Sequence, residues 1–510
     1  MEMFSRQQLK ALLIPLLIEQ LLVVLVGMAD VLMVATLGET AVSGVALVDS
    51  INNLILQVLF AMAAGGTVVC SQLLGAGRRD EAGRAGGQLF SITTISLILI
   101  MILCLLGCRP ILQTLFGKIE ADVMDDAIIY FRLTAMSFPF LAIYHSAAAM
   151  FRAQGNTKSS MNMSLLMNVI NITGNAICIF GLHMGVEGVG IPTLISRMIA
   201  AFGIVTLLQK KKTTGAGDSG QSTDAGDRGQ GAGKERDRER GREAGAGTGK
   251  EGDRERGREA GAGTGTGVGK GGSVVDGYGN ELRVPSLSAL IPNGRLIKRI
   301  LSIGIPNSVE SGVFQFGKLT LQSLVSSLGT PSIAAFAVAS NLVTYLYLPG
   351  NALGAGMLTI VGRCYGAGEY EQARSYARRL VRINYIMLAI ICTVLIVGSS
   401  FWVGCYQLTG QSAELARGLL ISHSVAMILW PIGFLYPYYF RAIGKAAFTM
   451  VVAISTMWTF RIGLAFLFIK VLHMNVLGIW YAMFVDWIAR VIIYLTALRK
   501  RYGEKQAGRE

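Results

Sequence analysis

Charge is scarce over long distances in this chain, and histidine is scarcer still. Only 15% of its 510 residues are charged while 52% are hydrophobic, and the charges crowd into short stretches, so most of the chain lies in apolar segments unlike those of a soluble core. With four histidines, no His-Glu-x-x-His and no Gly-x-Ser-x-Gly, the chain lacks the constellations of zinc hydrolases and serine nucleophiles, and no enzyme is expected. The seven cysteines (Cys70, Cys104, Cys108, Cys178, Cys364, Cys392 and Cys405) are odd in number and mostly sit inside apolar runs, which reads as packing rather than a disulfide framework or a metal site. Gly249-Lys250 and Gly269-Lys270 lack the upstream Gly and the following Ser or Thr of a phosphate-binding loop. A formal charge of +14 could suggest nucleic acid, but the cations lie at the ends of apolar runs or in a mixed-charge insert, so nucleic-acid binding is not expected.

What the chain does have is length of apolar sequence. A helix needs about 20 such residues to cross a bilayer, and twelve candidates fall near 9–37, 44–74, 87–109, 126–150, 160–182, 188–209, 297–328, 332–362, 378–404, 413–440, 446–470 and 476–498. The first run is too long for a cleavable signal and carries Glu19 and Asp30, so it is expected to stay in the mature protein. Lys and Arg cluster in alternate loops, at Arg78, Arg79 and Arg84, Arg152 and Lys158, Lys210 to Lys212, Arg374 to Arg379, Arg441 and Lys445, and Arg499 to Arg501. Those loops, and with them both termini, are expected on the cytoplasmic side of the cell membrane.

The second half repeats the first. Adding 291 carries Pro15 onto Pro306, Glu19 onto Glu310, Leu37-Gly38 onto Leu328-Gly329, and Gly75-Ala76-Gly77 onto Gly366-Ala367-Gly368; at nearby offsets Phe151-Arg152-Ala153 recurs as Phe440-Arg441-Ala442, and Leu182-His183-Met184 as Leu472-His473-Met474. An ordered series of this kind marks internal duplication. Six crossings per repeat is an even number, so the halves enter the membrane in the same direction and pair about an axis along its normal. The expected organisation is an N-terminal six-helix lobe at 1–210, a low-complexity cytoplasmic linker at 211–290 and a C-terminal six-helix lobe at 291–510. The linker is dominated by Gly, Arg, Glu, Asp and Thr and cannot bury a core.

A charge inside a membrane span costs about 2.5 to 3.5 kcal/mol at the centre and asks for a reason. Glu19 and Asp30 lie eleven residues apart, three helical turns with about 20° left over, so they share one face of the first helix. Asn168, Asn171 and Asn175 share a face of the fifth, and Thr193 and Ser196 lie on the sixth. Asp30 with such oxygens could hold a proton or a small hard cation, with ion pairing that merely fixes neighbouring helices as the alternative. Asp30 falls opposite Leu321 in the repeat and so belongs to the N-terminal half alone, whereas Glu19 has its acidic twin in Glu310. In the second half Glu310, Lys318, Arg461, Asp486 and Arg490 are of mixed sign, which suggests mutual neutralisation, of Lys318 by Glu310 or Asp486. His183 and His473 read as loop packing rather than proton relays.

At Pro15-x-x-x-Glu19, Gly27-Met28-Ala29-Asp30, the two Gly-Ala-Gly loops, Phe151-Arg152-Ala153-Gln154-Gly155-Asn156-Thr157 and Gly188-Val189-Gly190-Ile191-Pro192-Thr193, the chain resembles the multidrug and toxic compound extrusion (MATE) family. The resemblance implies an all-α integral membrane protein, twelve helices in two lobes set as a V. It further implies secondary active antiport, in which inward H⁺ or Na⁺ drives export of amphipathic, often cationic, small molecules. The family's cation-coupling positions correspond to Asp30, Asn171, Asn175 and Thr193, where a sodium ion could sit. Position 175 is Asn where many relatives have Asp, which removes a charge from the site. Glu19, Asn168, Glu310 and Asp486 are expected in the substrate cavity, with no cofactor beyond the coupling ion, membrane lipid and amphipathic solutes as partners, and a monomer. A flippase for lipid-linked precursors on the same scaffold is the rival activity.

Overall fold

The computed structural model describes residues 2–117, 120–209, 291–408 and 410–507. The linker expected at 211–290, with Lys210 before it, and Lys118 lie outside the described residues. Every regular element among the described residues is helical. Six spans form the first half: α1 (Arg6–Ala35), α2 (Glu39–Gly75), α3 (Arg79–Leu106), α4 (Ala121–Met136 continued by Phe138–Gln154), α5 (Thr157–Gly181) and α6 (Glu187–Gln209). Six more form the second: α7 (Gly294–Ser326), α8 (Thr330–Gly366), α9 (Tyr370–Val397), α10 (Gly410–Ala426 continued by Pro431–Ala442), α11 (Ala446–Val471) and α12 (Leu477–Arg499). The result is two six-helix lobes related by a parallel repeat.

Local chemistry places the helix starts. Ser5 and Gln8 form a capping box on α1, and Asn156 and Asn293 accept from the backbone of Ser159 and Leu296 to open α5 and α7. Two expected straight spans are bent instead: α4 by 43° at Ser137 and α10 by 67° after Ala426. Each bend precedes a proline, Pro139 or Pro431, whose missing N–H and ring interrupt the helical ladder. Nine single helices and these two bent pairs are apolar enough to cross a bilayer, and α7, at 33 residues, is long enough but too polar to join them. Lipid-facing stripes confirm the duplication in space. Ile95, Leu99, Leu103 and Leu106 stand exposed along α3 as Ile386, Ile390, Val394 and Val397 do along α9, each pair 291 residues apart.

A π-helical turn closes both α5 (Ile177–Gly181) and α11 (Leu467–Val471) and leads into a left-handed histidine, His183 or His473, each at φ 51°. Both histidines therefore serve the turn. A further π turn, Met457–Ile462, occurs in α11 without a counterpart in α5. A π turn inserts one residue into a helix, which is why the repeat offset moves from 289 before it, at Ala153 and Ala442, to 290 after it.

The halves meet through their first two helices: α2 runs along α7 and α8, and α8 runs along α1. At the end of α2 and α8 the crossing is backbone against backbone. A Cβ on Gly75 would overlap the carbonyl of Arg363, and one on Gly366 would overlap that of Gln72. Gln72 and Arg363 are themselves repeat-equivalent. Gln72 Nε2 donates to the carbonyl of Ala442 at 2.7 Å and Arg363 Nε to that of Ala153 at 2.9 Å, so each half holds the C-terminal end of the other half's bent helix.

Candidate functional site

A cavity of about 280 Å³ opens inside the N-terminal half, between α1, α2, α4, α5 and α6. Gly27 and Asp30 line it from α1, Asp49 from α2, Tyr130 from α4, Asn168 and Asn171 from α5, and Thr193, Ser196 and Arg197 from α6. Asn175 Nδ2 donates to Asp30 Oδ1 at 2.9 Å, Asn171 Nδ2 donates to Thr193 Oγ1 at 3.0 Å, and Thr193 passes its own proton to the carbonyl of Val189 at 2.8 Å. The residues expected to couple a cation therefore form two hydrogen-bonded pairs, Asp30 with Asn175 and Asn171 with Thr193, with Asp30, Asn171 and Thr193 lining the cavity. Oδ1 of Asn175 and Nδ2 of Asn168 are buried without a hydrogen-bond partner among the described residues. Asn175 thus presents its amide N–H, not its oxygen, to Asp30.

Three lining residues escaped the sequence reading: Asp49, Tyr130 and Arg197. Tyr130 donates from its hydroxyl to Asp49 Oδ1 at 3.2 Å and Asn52 from Nδ2 to the same oxygen at 3.4 Å. Arg197 Nη1 donates to Ser137 Oγ at 2.6 Å, at the bend of α4, and its charge acts on both Asp30 and Asp49. A signal was present, since Asp49 and Arg197 lie inside the predicted spans 44–74 and 188–209, where the cost of an ionisable group points to a partner or a pathway. With two carboxylates and one guanidinium the cavity carries one net negative charge when both acids are ionised.

The other expected cavity residues stand elsewhere, in ion pairs. Glu19 lies 3.9 Å from Arg152, and its twin Glu310 lies 2.7 Å from Arg441, the repeat-equivalent arginine. Asp486 is fully buried between Arg461 and Arg490, each at 2.8 Å. The neutralisation of Lys318 by Glu310 or Asp486 is not formed, because other cations hold both acids. Lys318 packs its ammonium 5.3 Å from the ring centre of Phe314, with the Arg461 guanidinium 5.6 Å from that same ring. Among the described residues, no group of three His, Cys, Asp or Glu side chains gathers as metal ligands.

A duplicated twelve-helix bundle with a polar cavity inside one half is the architecture of a membrane transporter. The MatE family model matches twice, at residues 15–177 and 306–467, and the chain belongs to that family. It is 22% identical over 493 residues to the "Uncharacterized transporter YisQ" of Bacillus subtilis, covering 94% of this chain and 91% of that one. It is 22% identical over 510 residues to the "Probable multidrug resistance protein NorM" of Thermotoga maritima, covering 98% and 94%. Among solved structures, it superposes at a TM-score of 0.80 and 16% identity on the outward-facing conformation of a multidrug resistance MATE family transporter of the MOP superfamily, covering 98% of this chain and 96% of that one. At that identity the structural likeness concerns the fold, while the doubled family match bears out the repeat read from the sequence.

Proposed function

We propose that this chain is a secondary active antiporter that exports amphipathic small organic molecules in exchange for protons, with sodium as the competing coupling ion. The observation that carries the reading is the wall around Asp30: a carboxylate inside a span, facing a cavity, held by Asn175 and by the field of Arg197. Asn175 offers Asp30 an amide N–H where sodium would need an oxygen ligand, and Asn at 175 adds no charge to those of Asp30 and Asp49. Protonation of Asp30 removes its charge, weakens its hold on Asn175 and Arg197, and so biases the packing of α1 against α5 and α6. A cationic group on the substrate suits the net negative charge of the same cavity.

Multidrug resistance in the names of relatives supports export of drugs or toxins, and none of those names supports the flippase reading. The basic loops at Arg78 and Arg374 support a cytoplasmic position for the crossing at Gly75 and Gly366, leaving the cleft between the halves open to the outside. The decisive experiment is efflux of a fluorescent organic cation from proteoliposomes under separately imposed H⁺ and Na⁺ gradients. Wild type should move the dye under the H⁺ gradient, Asp30→Asn should not, and deletion of 215–280 should leave movement in place. Movement under Na⁺ alone would reassign the ion, and undiminished movement by Asp30→Asn would defeat the mechanism.

A further inference from the structure

The lining of the N-terminal cavity has a counterpart in the second half, and its charge is reversed. Gly27 on α1 corresponds at offset 291 to Lys318 on α7; Asn171 and Ser196, at offset 290, correspond to Arg461 on α11 and Asp486 on α12. Asp30 corresponds to Leu321. Arg461 and Arg490 thus share a single carboxylate, Asp486, while Lys318 pairs with no acid among the described residues. Two positive charges are left over in a membrane interior, where uncompensated charge is expensive.

The geometry offers these cations to a ligand. Ser311, Gln315, Lys318 and Gln322 recur along α7 at helical spacing and form a polar stripe, set apart from the exposed apolar stripe of Ile305, Val309, Phe316 and Leu319. Lys318 is exposed on this stripe, and a charge in mid-span is disfavoured against hydrocarbon, so the stripe suits a water-facing or ligand-facing position. Arg461 stands beside it on the π turn found only in this half, buried to all but 6%, with its Nε lacking a hydrogen-bond partner among the described residues. Phe314 lies against both cations and supplies an aromatic surface at the same place.

We infer that the C-terminal half holds an anion-accepting subsite at Lys318, Arg461 and Phe314, and that the substrates are zwitterionic amphipaths whose anionic group docks there. This rests on the export reading above and adds the chemical class of the substrate. The cationic end of such a molecule suits the negative cavity of the other half, and the aromatic body suits Phe314.

The test uses a matched pair of dyes, a cationic rhodamine ethyl ester and the zwitterionic free acid obtained by its hydrolysis. Binding to the purified full chain is read by fluorescence anisotropy, and gradient-driven efflux from proteoliposomes is read alongside it. The free acid should bind about tenfold more tightly than the ester, the scale of one well-placed charge contact. Lys318→Gln should erase that preference, and Lys318→Arg should retain it. Equal binding of both dyes by wild type, or an undiminished preference in Lys318→Gln, overturns the subsite even if both dyes are exported. A preference in binding without gradient-driven movement keeps the subsite and defeats the export reading. Titration of phosphatidylglycerol against the bound free acid then separates the sources of the anion, displacement assigning a lipid headgroup and retention a soluble solute.

Discussion

The N-terminal half gathers Asp30, Asp49 and one guanidinium around a cavity, whereas the corresponding wall of the C-terminal half carries Lys318, Arg461 and Asp486, with Arg490 one turn beyond. The helices that carry these groups are the same in order, bends and terminal π turns. What differs is a handful of side chains, π turns at Pro431–Leu435 and Met457–Ile462 without counterparts in the first half, and one- or two-residue shifts of the repeat offset. Duplication therefore conserved the helical scaffold of each lobe, and divergence reassigned the polarity of what each lobe holds. The pairs that stayed alike make the same point. Glu19 with Arg152 and Glu310 with Arg441 each tie the first helix of a lobe to the end of its fourth, a task that both lobes need.

The comparison breaks most severely at the crossing of α2 and α8, where the halves touch through glycine. Gly75→Val and Gly366→Val should each push the two backbones apart and cost about 1–3 kcal/mol in the closed crossing, a shift of roughly ten- to hundredfold in population. Dye efflux by both variants should fall by similar factors; loss in only one would show that the crossing is not symmetric in function. The twin ion pairs bear on stability, with less effect expected on efflux. Arg441→Leu leaves Glu310 without the partner it holds at 2.7 Å and should destabilise the protein by about 3–5 kcal/mol. Arg152→Leu breaks a looser 3.9 Å contact and should cost less. Thermal unfolding in detergent measures both, and equal losses would mean that separation does not set the worth of these pairs. The smallest perturbation concerns orientation. Cys405, exposed in the segment between α9 and α10, should react with a membrane-impermeant maleimide added outside intact cells, while the buried cysteines should not. Labelling only after the cells are opened would reverse the topology.

Much of this was legible in one dimension. Span number, the parallel repeat, Asp30 with its amide neighbours and the pairing of Glu19 with Glu310 all follow from residue type and spacing. The bends of α4 and α10 were missed because a proline inside an apolar run leaves hydropathy unchanged while removing a backbone donor. Asp49 and Arg197 show in the sequence only as ionisable groups inside apolar spans; nothing in the spacing of α2, α4 and α6 brings Asp49, Tyr130 and Arg197 to one cavity.

The sequence by itself determined that the chain enters the membrane, that it does so twice over, and that one half owns a carboxylate the other lacks. Apolar length, repeat register and charge are properties of order along the chain, and the bilayer enforces them helix by helix. Only the tertiary structure decided which charges neutralise each other. Partners such as Asp486 with Arg461, or Glu310 with Arg441, come from different helices whose mutual rotation is set by packing, so the cations left for a substrate become visible only after folding has chosen the pairs.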